Sequence, residues 1–305
     1  MTNGGMAAEA RTPIAVAQNT EYSRRLLAAQ SRLYTDAKVL HDGRVITVVL
    51  LAVATIAIAL AFPGARQTVG AVGGAITFLW SVIGSSREKR RRREAASVQE
   101  EFDTHVFGIP TNDFAVDRIS PTLVAEAASR YKGNRTKDWY PDPRPVIYPL
   151  DVLICQRSNL GWGSSTHRYY AACLLAALLA LVFSGFTVAG VAGLSLVDAL
   201  VAVLVPLLSP ARELIEAIRA NHESSDIKAK TESKVLKLWQ RGMENPGAVT
   251  VKDCRTVQDR ILQIRQSNAH IPDWLDNLRR HRNESAMRAS ADYLKEEAAR
   301  HGRTA

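Results

Sequence analysis

Cysteine is scarce in this chain of 305 residues: Cys155, Cys173 and Cys254 are three, an odd number set far apart, with no C-x-x-C. That excludes a disulfide framework and a zinc-finger-type site, and leaves buried, inert thiols. H-E-x-x-H is lacking, and His270 and His281 stand too far apart to serve as ligands on adjacent helical turns, so no metal site is expected. Gly70-Ala71-Val72-Gly73-Gly74 puts Val72 where a dinucleotide loop needs its second glycine, and Ser86-Arg87-Glu88-Lys89 has no partner motif. No catalytic residue and no cofactor are assigned, and the chain is not expected to be an enzyme.

The second thing missing is charge, and it is missing locally. Val45 to Ala65 and Gln67 to Ser86 contain no Asp, Glu, Lys or Arg, and Tyr169 to Ala211 contains only Asp198. The rest is strongly charged, so averages of 47% hydrophobic and 23% charged residues conceal two apolar blocks. A helix rises roughly 1.5 Å per residue and a bilayer core of about 30 Å needs about 20 of them. The first two stretches therefore suit one span each, and the third suits two. Such blocks exclude a disordered chain and argue against a cytosolic enzyme with a single core. A secretory signal is not expected either, because about forty mostly polar residues precede the first block and a second block follows it at once.

Basic residues retained beside a span mark its cytoplasmic side. Arg32, Lys38 and Arg44 precede the first span, and Arg87-Glu88-Lys89-Arg90-Arg91-Arg92-Arg93 follows the second with six bases in seven residues. Arg168 precedes the third and Arg212 follows the fourth, whereas the links inside each hairpin hold one base and none. Both termini and the middle segment are thus expected in the cytoplasm of a multi-pass membrane protein. The Arg87–Arg93 run reads as a topology anchor touching lipid headgroups, not as a site for a nucleic-acid polymer. The formal charge of +9 follows largely from such flanks.

The expected fold is an all-α membrane protein of two transmembrane helical hairpins with cytoplasmic helical segments. Residues 1–43 would form an N-terminal amphipathic segment, frayed up to about residue 17 and helical from about Thr20 to His41, with Asp42-Gly43 a candidate break. Residues 44–86 form hairpin 1, 87–168 a helix and loop segment, 169–210 hairpin 2, and 211–305 a C-terminal bundle of three helices. Trp139-Tyr140-Pro141-Asp142-Pro143-Arg144-Pro145 is expected to be a rigid loop, since alternate prolines remove donors and clash with a preceding turn. Ser209-Pro210 reads as an N-cap followed by proline at the first helical position.

Within the spans, Gly70 with Gly74 and Ala189 with Gly193 are small-x-x-x-small pairs that let backbones approach, inside one chain or between chains. Asp198 is an ionisable residue in an apolar block, where burial costs roughly 2.5–3.5 kcal/mol. It either faces a pore or another helix, or, with Ser195, caps the last span. Thr68, Thr77, Ser81, Thr187 and Ser195 are read mainly as hydroxyls that return hydrogen bonds to their own helix. A ligand carrying phosphates and bases would need cations and flat side chains, which Trp139, Tyr140, Arg144, Arg157 and Trp162 offer near the membrane. The bland reading of that cluster is a proline-stiffened structural loop.

Local matches extend over nearly the whole chain. They include Gln30, Tyr34 and Lys38 before the first span, then Glu101-Phe102-Asp103 with Val106-Phe107-Gly108-Ile109-Pro110. Cys155-Gln156-Arg157-Ser158-Asn159 leads into the third span, and Asn245-Pro246, Gln258-Asp259, Arg265 and Pro272-Asp273-Trp274 lie near the end. In these the chain resembles the SMODS-associated four-transmembrane (S-4TM) family of pore-forming effectors. Trp162-Gly163 and Thr111 depart from the pattern. The resemblance implies a bacterial anti-phage system in which a partner nucleotidyltransferase makes a cyclic nucleotide. The effector then oligomerises with copies of itself and permeabilises the inner membrane, killing or arresting the cell. The alternatives are a non-conducting scaffold or signalling protein, or a small transporter, for which only Pro206 and the Gly185–Gly193 region suggest broken spans.

Overall fold

A computed structural model describes residues 11–83, 85–116, 119–161 and 163–305. Among them the secondary structure is helical, apart from one isolated antiparallel bridge between Val146 and Thr304. A short helix α1 (Ile14–Ala17) leads into α2 (Glu21–Ala61), which the Thr20 side chain caps by accepting from the Ser23 amide. A 3-10 turn at Pro63–Ala65 reverses the chain into α3 (Arg66–Ile83), and α4 (Ser85–Phe107) continues beyond it. Next come α5 (Pro121–Ser129), a long loop, α6 (Leu150–Gly161) and α7 (Ser164–Val191). After a tight turn, α8 (Leu196–Ala199), a π-helical turn (Leu200–Leu204) and α9 (Val205–Glu244) follow without a gap. The chain ends in α10 (Val251–Ser267) and α11 (Asp273–Arg300).

Among the described residues, three stretches are long and apolar enough to cross a membrane: Glu21–Ala61, Pro63–Phe107 and Leu150–Val191. The fourth apolar segment opens at Leu196 and is divided by the π turn. The outward side chains of these helices are apolar, among them Leu50, Val53, Leu79, Trp80, Leu179, Phe183 and Leu208. Inward, the helices bury a small cluster of Ala59, Ala202 and Val203. An apolar outward face around so small a buried cluster is the signature of helices solvated by lipid. The chain is an all-α membrane protein.

The larger core lies in the polar half, and helical spacing explains it. In α2 the buried positions Leu26, Leu27, Gln30, Leu33 and Ala37 recur every three or four residues, and α4 answers with Ala95, Val98, Phe102 and Val106. The short α6 is buried on nearly every side, including Leu153, Ile154 and Leu160, and so forms the centre.

The structure departs from the sequence expectation at three points. Residues 11–17 are ordered: Ile14 and Ala17 are buried, and Arg11 bridges to Asp151 and donates to the Phe107 carbonyl at 2.7 Å. Helix α2 runs unbroken through Asp42-Gly43, held by its neighbours α4 and α9. Pro210 does not start a helix but sits inside one that has run since Leu196. The C-terminal helices also pack on earlier elements: α10 lies on α4 and α6 as well as α9, and α11 on α6 and α7 while Glu297 accepts from Trp239 of α9 at 2.8 Å.

Candidate functional site

Charged residues on α4 and α10 are buried against each other at the centre of the polar half. Glu100 and Asp103 are one helical turn apart on α4, with side chains wholly inaccessible. On α10, Arg255, Gln258 and Arg265 share a stripe with Cys254, Val257 and Ile261. Arg255 donates to Glu100 at 2.6 Å and Arg265 to Asp103 at 2.6 Å, while the Gln258 amide bridges both carboxylates at 2.8 and 2.7 Å. Gln156 of α6 donates to the Gln258 side chain at 3.1 Å and to the Cys254 carbonyl at 2.8 Å. Tyr140 donates to Asp103 at 2.6 Å and accepts from Asn159 at 2.7 Å. Burial, with the neighbouring Asp103 charge, raises the Glu100 carboxyl, and burial pushes the Cys254 thiol up to about 12. Two carboxylates facing two guanidiniums balance the charge that burial would otherwise penalise. Chemically the arrangement welds α4, α6, α10 and the proline-rich loop into one body.

A second ionic layer sits where the polar and apolar halves meet. Arg44 of α2 joins Glu213 of α9 at 2.5 Å and Glu88 of α4 at 3.5 Å, and Ser81 of α3 also donates to Glu213. Glu88 further receives Arg92 and, at 3.2 Å, His41 Nδ1. Burial pushes its carboxyl up, but His41, Arg92 and Arg44 overcome that and hold it at about 2. Beside this layer, His41, Asp42 and His270 each bring a ligand atom within 4.8 Å of the others.

The opposite end of the apolar half holds the small and polar residues singled out in the sequence. A Cβ on Gly70 would lie 2.2 Å from the Val201 carbonyl oxygen, and one on Gly74 would lie 2.7 Å from Val205 Cγ1. Both glycines therefore pack α3 against the fourth span of the same chain. Ala189 and Gly193 are parted: Ala189 lies in α7, whereas Gly193 has φ of +58° in the turn after it, with nothing near a would-be Cβ. The Ser195 hydroxyl accepts from the Asp198 amide at 3.2 Å and caps α8. The Asp198 carboxylate meets Arg66 and Gln67 of the other hairpin, each at 3.4 Å.

The aromatic and basic residues proposed to hold a ligand do not converge. Tyr140 is in the core, Arg144 is exposed and bound to Asp142, and Arg157 joins Glu232 at 2.9 Å and Ser290. Trp139 is exposed at the loop surface, and Trp162 lies outside the described residues. The basic cluster that does converge was read in the sequence as a topology anchor. Arg87, Arg90 and Arg91 of α4 face Arg32, Asp36, Val39 and Leu40 of α2 across a cleft of about 530 Å³. No spacing signal in the sequence joins Arg32 of α2 to the basic run of α4. The Glu100–Arg255 and His41–His270 pairings carried no spacing signal, because their partners lie far apart in the chain.

The SMODS-associating 4TM effector domain matches residues 12–294. A probable CBASS effector molecule of Bacillus cereus strain VD146 is 26% identical over 282 residues, covering 88% of this chain and 94% of the relative. No solved structure matches the chain significantly.

Proposed function

Because the chain belongs to the SMODS-associating 4TM effector domain family, we propose that it is the membrane effector of a bacterial cyclic-nucleotide anti-phage system. On activation it oligomerises and permeabilises the inner membrane. Its similarity to a probable CBASS effector supports the anti-phage role. The observation that carries the mechanism is the continuity of α2 and α9, of 41 and 40 residues, each running from the polar core into the apolar half. Helices of that length span about 60 Å and carry a displacement at one end to the other. The Arg44–Glu213 pair ties them together at the boundary, so they move as a unit.

Both termini and the polar half face the cytoplasm, where the nucleotide is made. The cleft of Arg32, Arg87, Arg90 and Arg91 is the surface for its phosphates, since guanidiniums pair with phosphate in a bidentate manner. Tyr140 is sealed in the core, which supports the structural reading of the proline-rich loop. The cleft arginines, by contrast, pair within a turn of their own helix, Arg32 with Asp36 and Arg90 and Arg91 with Glu94, and phosphates would take the place of those partners. Binding between α2 and α4 shifts α2, and α9 with it, relative to α4. Chains then associate through the outward apolar faces, and Asp198, Ser195 and Arg66 ring the outer mouth of the opening.

The test is dye release from liposomes carrying the full-length protein. A cyclic dinucleotide should release a self-quenched dye, and Arg90→Ala with Arg91→Ala should reduce the release at least tenfold. Sealed vesicles under every nucleotide, with the protein inserted, would favour a non-conducting scaffold instead.

A further inference from the structure

We propose that His41, Asp42 and His270 form a binding site for a divalent metal of the zinc class, joining the α10–α11 linker to the point where α2 enters the apolar half. The three residues offer ligand atoms all within 4.8 Å of one another. Two imidazoles and one carboxylate are a donor set that zinc accepts, with water completing a tetrahedron. Solvent can reach the fourth position, because the Asp42 side chain is 57% exposed.

The surrounding groups point the same way. The His270 side chain is only 9% exposed, and among the described residues its Nε2 has no hydrogen-bond partner although it lies 3.1 Å from Asp42 Oδ1. A buried ring nitrogen left unsatisfied beside a carboxylate oxygen costs free energy that a shared cation would recover. The His41 ring stacks on that of His270, with centroids 4.2 Å apart. Glu88 lies 3.2 Å from His41 Nδ1, and as a carboxylate it accepts from that nitrogen, leaving Nε2 with its lone pair free to ligate. A carboxylate behind a histidine ligand is the usual outer shell of zinc sites, and Arg44 and Arg92 hold this one in place. Of the cations nearby, Lys38 is engaged by Asp273 and Arg44 and Arg92 by Glu88. Asp42 is adjacent to His41 on one helix and His270 comes from a distant linker, so the metal would tie two separate elements together.

Metal binding at this site can be read directly, apart from any membrane activity. The full-length protein in detergent, stripped with a chelator and dialysed, is titrated with Zn²⁺ by calorimetry and with Co²⁺ by visible absorption. The expected result is one equivalent per chain, lost in His41→Ala and in His270→Gln, and weakened about 10-fold or more by Glu88→Gln. X-ray absorption of the zinc-loaded wild type needs no variant and should count two imidazole ligands. Absence of binding, binding unchanged in both histidine variants, or fewer than two imidazoles at the zinc would each overturn the assignment.

Discussion

At the scale of single residues, the buried Asp103–Arg265 pair shows what holds the polar half together. Each charge is shielded from water, and each has a partner on another helix. Removing one member strands the other, at a cost of about 3–5 kcal/mol. Arg265→Met is therefore expected to lower the unfolding free energy by about 3 kcal/mol in denaturant titrations of the detergent-solubilised protein. The double variant with Asp103→Leu should recover a substantial part of that. Lys228 makes a different, pH-dependent contribution. His167 Nδ1 donates to Asn221 at 2.8 Å, so its Nε2 accepts from Lys228 at 3.1 Å, a neutral partner for a buried cation. Burial, with Arg265 nearby, lowers the lysine to about 8 from 10.5. Below pH 8 the lysine is charged in both the folded and the unfolded chain, and folding carries the full burial cost. As pH rises from about 8 towards 10.5 the folded chain releases its proton first, so stability rises by up to about 3 kcal/mol. The wild type should gain that stability relative to Lys228→Met across this interval, and parallel curves would contradict it. Asp103, Gln258 and Arg265 stood out in the sequence through the family resemblance. Their mutual pairing did not, because partners about 155 residues apart leave no periodic trace.

At the scale of elements, the spans were legible from the absence of charge, since every ionised group in lipid carries a cost. Their ends were less so. Pro210 looked like a helix start, yet the preceding turns are already helical and the missing amide lies within a tightly packed bundle. Gly43 looked like a break, yet tertiary contacts hold α2 through it. Two glycine substitutions separate these effects. Nothing lies within 4 Å of a Cβ on Gly43, so Gly43→Ala should stabilise the protein by about 0.5–1 kcal/mol, because glycine only adds freedom to the unfolded helix. Gly70 touches the Val201 backbone, which cannot yield, so Gly70→Leu should part α3 from the fourth span and destabilise by about 1–3 kcal/mol. Thermal unfolding in detergent distinguishes the two signs.

At the scale of the whole molecule, a body welded by buried ions is joined to apolar hairpins through two continuous helices, pinned by Arg44 at the boundary and by Asp198 with Arg66 at the far end. Hydrophobic patterning made the division between these halves visible in the sequence. It did not reveal that the hairpins are tied to each other at both ends, because those contacts join residues from different blocks. The proposal that follows is an electrically silent resting state opened from the polar side. The most direct measurement is current across a planar bilayer containing the full-length protein, with cyclic dinucleotide added to one chamber at a time. Opening from the polar side predicts discrete conductance steps only when nucleotide reaches the side bearing the termini, and their loss in Arg90→Ala with Arg91→Ala. A bilayer that stays silent with inserted protein, or that conducts equally from either side, would contradict it.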